Sequence, residues 1–322
     1  MRFAALLGMA ILLMAAAPPP HRHQSAPRGL QFVDLTGDFD RIWNATSNLP
    51  DDKRPEAFEA AFAKVLPGFY DPKRVDDFMR PDQYRDFVLK GLKNYPAHKA
   101  AIEGVSHKFT TMIGPAQRSF EKAFGPMRGY PPIYLVNSFG EFDGGTRDLP
   151  EGERLLFGAD VISMLYEGKP VQPFFHHELF HLLNHRYFKE CEQLWCSLWS
   201  EGLAVYVAAT LNPGASDDAL LLNFPAPIRP AVEAHRTEAI CAVASRLNST
   251  SKSDYAPLFM AGVKPLSPDL PPRFGYYVGY LVARDLGRTR SLKQLAVMPN
   301  AQVKSLLDAS LARMAACPSK AA

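Results

Sequence analysis

The chain has 322 residues, 47% of them hydrophobic, which is enough apolar material for one large domain or two small ones with a sizeable core. Its 36 basic and 33 acidic side chains leave a formal charge of +3 with no basic block. That balance gives no reason to expect nucleic acid or an anionic membrane surface as a partner.

Arg2 followed by the apolar run Phe3 to Ala17 has the layout of a secretory signal. The run of about 15 apolar residues falls short of the ~20 that a membrane-spanning helix needs. No cysteine follows it for lipid attachment, and Pro18 directly after Ala15-Ala16-Ala17 leaves the cleavage point open. The expectation is export, to the periplasm or the exterior, with residues 1–25 as signal peptide and start of a tether. No integral membrane domain is expected beyond this segment. Four cysteines then read as disulfides in an oxidising compartment. Cys191 and Cys196 are close enough to pair, leaving Cys241 and Cys317, although all three connectivities are open. The Cys-x-x-x-x-Cys spacing is too loose to favour a structural zinc site.

Residues 30–130 read as a helical region. Glu56 to Val65, Gln83 to Leu92 and Ala97 to Phe124 carry apolar residues at helical spacing, with a break expected at Gly114-Pro115. Their Phe and Tyr stripe reads as core. The pattern changes at Pro131-Pro132, opening a second region over 131–322. Ile133 to Val136 predicts a strand, Gly144-Gly145 a turn, and Leu155 to Ile162 a second strand. Helices are then expected over 173–187, Leu194 to Leu211, Pro230 to Leu247, Phe274 to Leu286 and Ala301 to Ala316, with a polar loop over 248–270. The class is α+β, predominantly helical, with a small sheet preceding the helix over 173–187.

That helix carries His177-Glu178-Leu179-Phe180-His181. Histidines four apart lie one above the other on one helix face, so their rings converge on a point suited to a zinc ion at about 2.0–2.1 Å. Glu178, turned about 100° from His177, stands beside that point, where it can accept a proton from water. Two histidines need a third ligand. His185 fails, because about 12 Å of axial rise separates it from His177. A Gly-x-x-His continuation fails too, since Asn184 and Tyr187 hold those places. His176 and His185 read as structural residues. Glu201 fits better: it stands in Leu198-Trp199-Ser200-Glu201-Gly202-Leu203-Ala204, where a carboxylate is costly to bury unless positive charge meets it. Gly202 allows close helix approach. Two histidines and a glutamate with one open position form a known catalytic zinc set.

His177-Glu178-x-x-His181 with Ser200-Glu201-Gly202-Leu203-Ala204 resembles the gluzincin branch of the zincin metallopeptidases, and exported zinc peptidases that share this Glu-Gly helix. The likeness covers roughly residues 155 to 205, with a looser echo at 273 to 286. It implies a zincin-like fold, one Zn2+ held by His177, His181 and Glu201, and Glu178 as general base. The thermolysin-like pattern has an Asp four residues after the third ligand; Val205 stands there, so support for the histidines must come from elsewhere. The resemblance also implies a strand above the motif helix on which a peptide adds as a further strand, a place Leu155 to Ile162 would fill. In similar peptidases a Tyr-Tyr-x-Gly-Tyr helix follows downstream. Here Tyr276-Tyr277-Val278-Gly279-Tyr280 matches it, with Tyr277 favoured as oxyanion donor and Tyr276 and Tyr280 as rivals. The expected function is that of an exported zinc metallopeptidase acting on peptide or protein substrates. A non-catalytic, zinc-stabilised module that binds peptides or envelope proteins is the alternative.

Overall fold

The computed structural model describes residues 29–76, 78–189 and 191–318, so the expected signal peptide and most of the tether lie outside the described residues. The first region contributes β1 (Phe32–Asp34), α1 (Thr36–Thr46), α2 (Arg54–Phe62) and α3 (Pro81–Phe124). Then come β2 (Ile133–Val136), β3 (Gly144–Leu149), β4 (Gly152–Gly158), α4 (Ala159–Leu165), α5 (Gln172–Asn184) and α6 (Leu194–Leu211). The remainder is helical: α7 (Ile228–Ala234), α8 (Arg236–Ala244), α9 (Lys252–Phe259), α10 (Phe274–Leu286), α11 (Leu292–Ala296) and α12 (Asn300–Met314). The protein is α+β and predominantly helical, with one four-stranded mixed sheet.

The sheet runs in the order β1-β2-β4-β3, with β1, β2 and β4 parallel and β3 antiparallel to β4. Successive residues Leu155, Leu156 and Phe157 of β4 are all buried. A pleated strand sends alternate side chains to opposite faces, so both faces of β4 are covered. The Phe157 ring sits 5.2 Å from Phe109 of α3 and 5.6 Å from Phe175 of α5. β1, from the first region, shares this sheet with the strands that follow residue 130. The aromatic stripe of that region is core: Phe39, Phe58, Phe62 and Tyr70 are buried against one another.

Several expectations change. The second strand ends at Gly158 rather than Ile162, and Ala159 opens α4. There the Asp160 carboxylate accepts from Ser138 N at 2.7 Å, Ser138 Oγ at 3.0 Å and Gly140 N at 2.6 Å, tying α4 to the loop after β2. Gly144-Gly145 begins strand β3 instead of forming a turn, which makes β3 the sheet edge and β4 an interior strand. The expected break at Gly114-Pro115 is absent: α3 runs 44 residues through Pro96 and Pro115. Its buried stripe, from Tyr84, Val88, Leu92 and Tyr95 through Ile102, Val105 and Phe109 to Ala116, Phe120 and Phe124, keeps helical period across both prolines. Burial of that continuous stripe offsets the roughly 3 kcal/mol that an interior proline costs. The helix expected over Pro230 to Leu247 is divided at His235, and the expected loop over 248–270 contains α9.

α6 is long and apolar enough to cross a membrane, yet 67% of it is buried inside the protein, as befits a core helix. It crosses α10 at Gly202 and Gly279, where a Cβ on either glycine would collide with the backbone of the opposite helix. Two disulfides form, Cys191–Cys196 with Cα atoms 5.8 Å apart and Cys241–Cys317 at 5.3 Å. The first ties the connection after α5 to the first turn of α6.

Candidate metal centre

α5 starts with Pro173 in its first turn, where a missing N–H costs no hydrogen bond. Its two histidines turn to one side and α6 brings Glu201 to meet them. His177 Nε2 and His181 Nε2 are 3.1 Å apart, and Glu201 Oε2 lies 3.2 Å from the first and 3.5 Å from the second. Three donors bound tetrahedrally at about 2.0–2.1 Å stand about 3.3–3.4 Å from one another. The triangle therefore has the dimensions of a zinc face, and its donor set, two imidazoles and a carboxylate, suits that metal. Burial pushes the His177 pKa down, hydrogen bonding to Glu201 opposing it, which favours the neutral imidazole that ligates. Burial also works to raise the Glu201 carboxyl, but the charge of His181 and hydrogen bonds to both histidines hold it far below the usual carboxylate range.

The support missing at Val205 comes from the residue before Glu201. Ser200 Oγ lies 3.3 Å from His181 Nδ1, the ring nitrogen turned away from the triangle. Val205 lines the cleft. His176, one position before His177, faces the opposite way. Its Nδ1 pairs with Asn212 Nδ2 at 2.8 Å and its Nε2 with Ala116 O at 3.0 Å, so it is buried and satisfied. His185 borders the cleft with Nδ1 3.6 Å from the Glu153 carboxylate and stands outside the triangle.

The triangle opens into a cleft of about 310 Å³, bordered by Gly144 to Arg147 of β3 on one side and by Arg273 and Tyr276 at the start of α10. Glu178 enters it 8% exposed. Gly144 gives it space: a Cβ there would stand 2.9 Å from Glu178 Cγ and 2.6 Å from Phe174 Cζ. Burial pushes the Glu178 pKa up to about 8, with His181 opposing and Asp143 and Glu201 adding to it. A divalent cation in the triangle would bring it back down by favouring the charged form.

Tyr277 does not face this cleft. Its hydroxyl donates to Glu233 Oε1 at 2.6 Å, on the far side of α10. Tyr276, turned about 100° from it, is the one of the three α10 tyrosines that lines the cleft, its ring stacked on His177 with centroids 6.4 Å apart. The Arg273 guanidinium lies 4.5 Å over that ring. Arg273 holds a left-handed backbone at φ 72°, a conformation costly for a side chain of this size, pinned by its N donating to Pro257 O at 3.0 Å.

Three cleft residues escaped the sequence reading. Asp143 stands just before β3 and Arg147 within it, around the glycine pair taken for a turn, and only the pairing of that edge strand turns them to the cleft. Tyr166, buried after α4 with its ring 4.9 Å from Phe174, has a hydroxyl with no hydrogen-bond partner among the described residues. Elsewhere, His235, Glu238 and Asp269 also gather donor atoms, but these side chains are 39%, 44% and 56% exposed and read as a solvated ion-pair cluster.

The chain matches no protein-family model, no curated protein and no solved structure. Its chemistry rests on the residues of the cleft.

Proposed function

We propose that this protein is a zinc metallopeptidase of gluzincin type that works outside the cytoplasm. The observation that carries the reading is the closed triangle of His177 Nε2, His181 Nε2 and Glu201 Oε2, 3.1 to 3.5 Å on a side and opening into a cleft. A site closed by four protein ligands would speak for structure alone, whereas three donors leave a position open. Zinc in the triangle would supply Lewis acidity, to water and to a peptide carbonyl.

The chain's own groups do the rest. Glu178, shielded from solvent beside the triangle, takes a proton at a carboxylate oxygen from the attacking water and delivers it to the leaving nitrogen. Tyr276 and Arg273 offer donors to the negative charge that develops on the carbonyl oxygen. β3, as a sheet edge bordering the cleft, offers a strand beside which an extended peptide can add. The two disulfides suit an oxidising compartment, and with the signal-like start of the chain they support export.

The test is metal content by mass spectrometry together with cleavage of a quenched-peptide library. Wild type should hold about one zinc per chain, Glu201→Ala should lose it, and Glu178→Gln should keep it while losing turnover. Zinc undiminished in Glu201→Ala would reject the ligand set, and turnover persisting in Glu178→Gln would reject the base. A zinc-loaded protein that binds the library without cutting it would establish the non-catalytic module instead.

A further inference from the structure

Around Glu141, two guanidinium groups compete for one carboxylate. Arg74 takes both oxygens, with Nη1 at 2.7 Å and Nη2 at 2.6 Å. Arg147 reaches the same group only through Nε, at 3.6 Å. One positive charge is left over, and it belongs to the arginine that lines the cleft. Arg147 Nη1 donates to the carbonyl of Thr146 at 2.8 Å, while Nη2 has no protein acceptor among the described residues. Burial pushes its pKa down, with the Glu141 carboxylate opposing, and the Phe142 ring covers one face of the guanidinium at 4.2 Å. Gly145, at φ 137°, makes the pose possible: a Cβ there would stand 2.9 Å from Arg147 Nη1, so the guanidinium folds back along β3 over Gly145.

A second cation borders the cleft from α10. Arg273 Nη1 donates to the carbonyls of Leu221 at 3.3 Å and Phe224 at 3.1 Å, and no carboxylate lies within ion-pair distance among the described residues. The acids of the cleft do not neutralise these two groups. Glu201 is engaged by the histidines, and among the described residues neither Glu178 nor Asp143 lies within ion-pair distance of either guanidinium. A guanidinium fork fits a carboxylate in two-point fashion, and in a partly dehydrated cleft such a pair is stronger than at an open surface.

We propose that the cleft selects an extended peptide by a carboxylate flanking the bond to be cut, gripped by Arg147 of β3 and by Arg273. This rests on the peptidase reading of the same cleft. The carboxylate can come from an Asp or Glu side chain or from a free C-terminus, and the two sources separate by experiment.

The probes are fluorescent peptides of one length bound to zinc-supplemented Glu178→Gln protein and read by anisotropy. One carries a central Glu with both ends blocked, and others carry Gln or Lys in its place. A fourth is the Gln peptide with a free C-terminus. The Glu peptide should bind at least about tenfold more tightly than the blocked Gln peptide, with Lys weakest. Preference for the fourth peptide alone would assign the carboxylate to the terminus. Equal binding of all four, or preference for Lys, would overturn the proposal. Adding Arg147→Glu should reverse the order of Glu and Lys, and Arg147→Lys should keep part of the original preference. An order unchanged by charge reversal would remove Arg147 from the grip. Cleavage by wild type is scored separately on the same peptides. Carboxylate preference without cleavage defeats the peptidase reading alone, and cleavage without preference defeats this inference alone.

Discussion

At the scale of single residues, neighbours in sequence take opposite parts because a helix turns about 100° per residue. His176 is buried between α3 and α6 with both ring nitrogens satisfied, while His177 points its Nε2 at Glu201. Tyr276 and Tyr277 divide in the same way, one against His177 and the other hydrogen-bonded to Glu233. Tyr166 lines the cleft, yet its buried hydroxyl has no hydrogen-bond partner among the described residues. Since an unpaired buried polar group costs about 1–3 kcal/mol, Tyr166→Phe should leave the metal-free protein as stable as wild type or up to about that much more stable. Denaturant unfolding would check this, and a clear loss of stability would mean that the hydroxyl has a partner in the folded protein.

Elements meet where side chains are missing as much as where they pack. Gly202 and Gly279 let α6 and α10 touch backbone to backbone, which seats Glu201 and Tyr276 near the same histidines. Alanine in a helix is ordinarily about 0.5–1 kcal/mol better than glycine. At Gly202 the added methyl has nowhere to go, so Gly202→Ala should destabilise by more than about 2 kcal/mol and weaken zinc binding. Gly104, exposed on α3 with open space around its Cβ position, supplies the control. Gly104→Ala should stabilise by about 0.5–1 kcal/mol, and thermal melts of the pair would separate propensity from collision. Equal responses at the two positions would show that the helices do not touch at Gly202.

Across the whole molecule, cross-links and buried charge set the stability. Cys241–Cys317 spans 76 positions and Cys191–Cys196 only 5. By loop-closure entropy the first should contribute about 4.5 kcal/mol and the second about 2 kcal/mol. Replacing each pair by serine should lower the unfolding midpoint in that order, and the reverse order would mean that the loop between α5 and α6 matters more than chain entropy. Glu59, in α2, carries a proton affinity raised by burial first and then by Asp71 and Glu56, to about 7 from an ordinary 4.5. Between those values the folded protein keeps a proton that the unfolded chain has released, so this group makes stability fall as pH rises from 4.5 toward 7. Urea unfolding of wild type and Glu59→Gln at both ends of that range tests it. The wild type should lose more stability than the variant, and parallel losses would exclude Glu59 as the source.

What the sequence determined by itself was local. The spacing of His177 and His181 placed two donors on one helix face, and the stop at Asn212-Pro213-Gly214 bounded α6 at Leu211. The apolar setting of Glu201 marked a carboxylate in need of positive charge, and β2 and α10 have the bounds their apolar patterns imply. Tertiary structure decided whatever depends on partners distant in sequence. It carried α3 through two prolines because the buried stripe runs on beyond them. It made Gly144-Gly145 the start of an edge strand by pairing them with Leu156 and Phe157, and so turned Arg147 toward the cleft. The choice between Tyr276 and Tyr277 followed from how α10 lies on α6. Periodicity and end signals are written in neighbouring residues, whereas an edge, a crossing or a surplus charge exists only once distant segments meet.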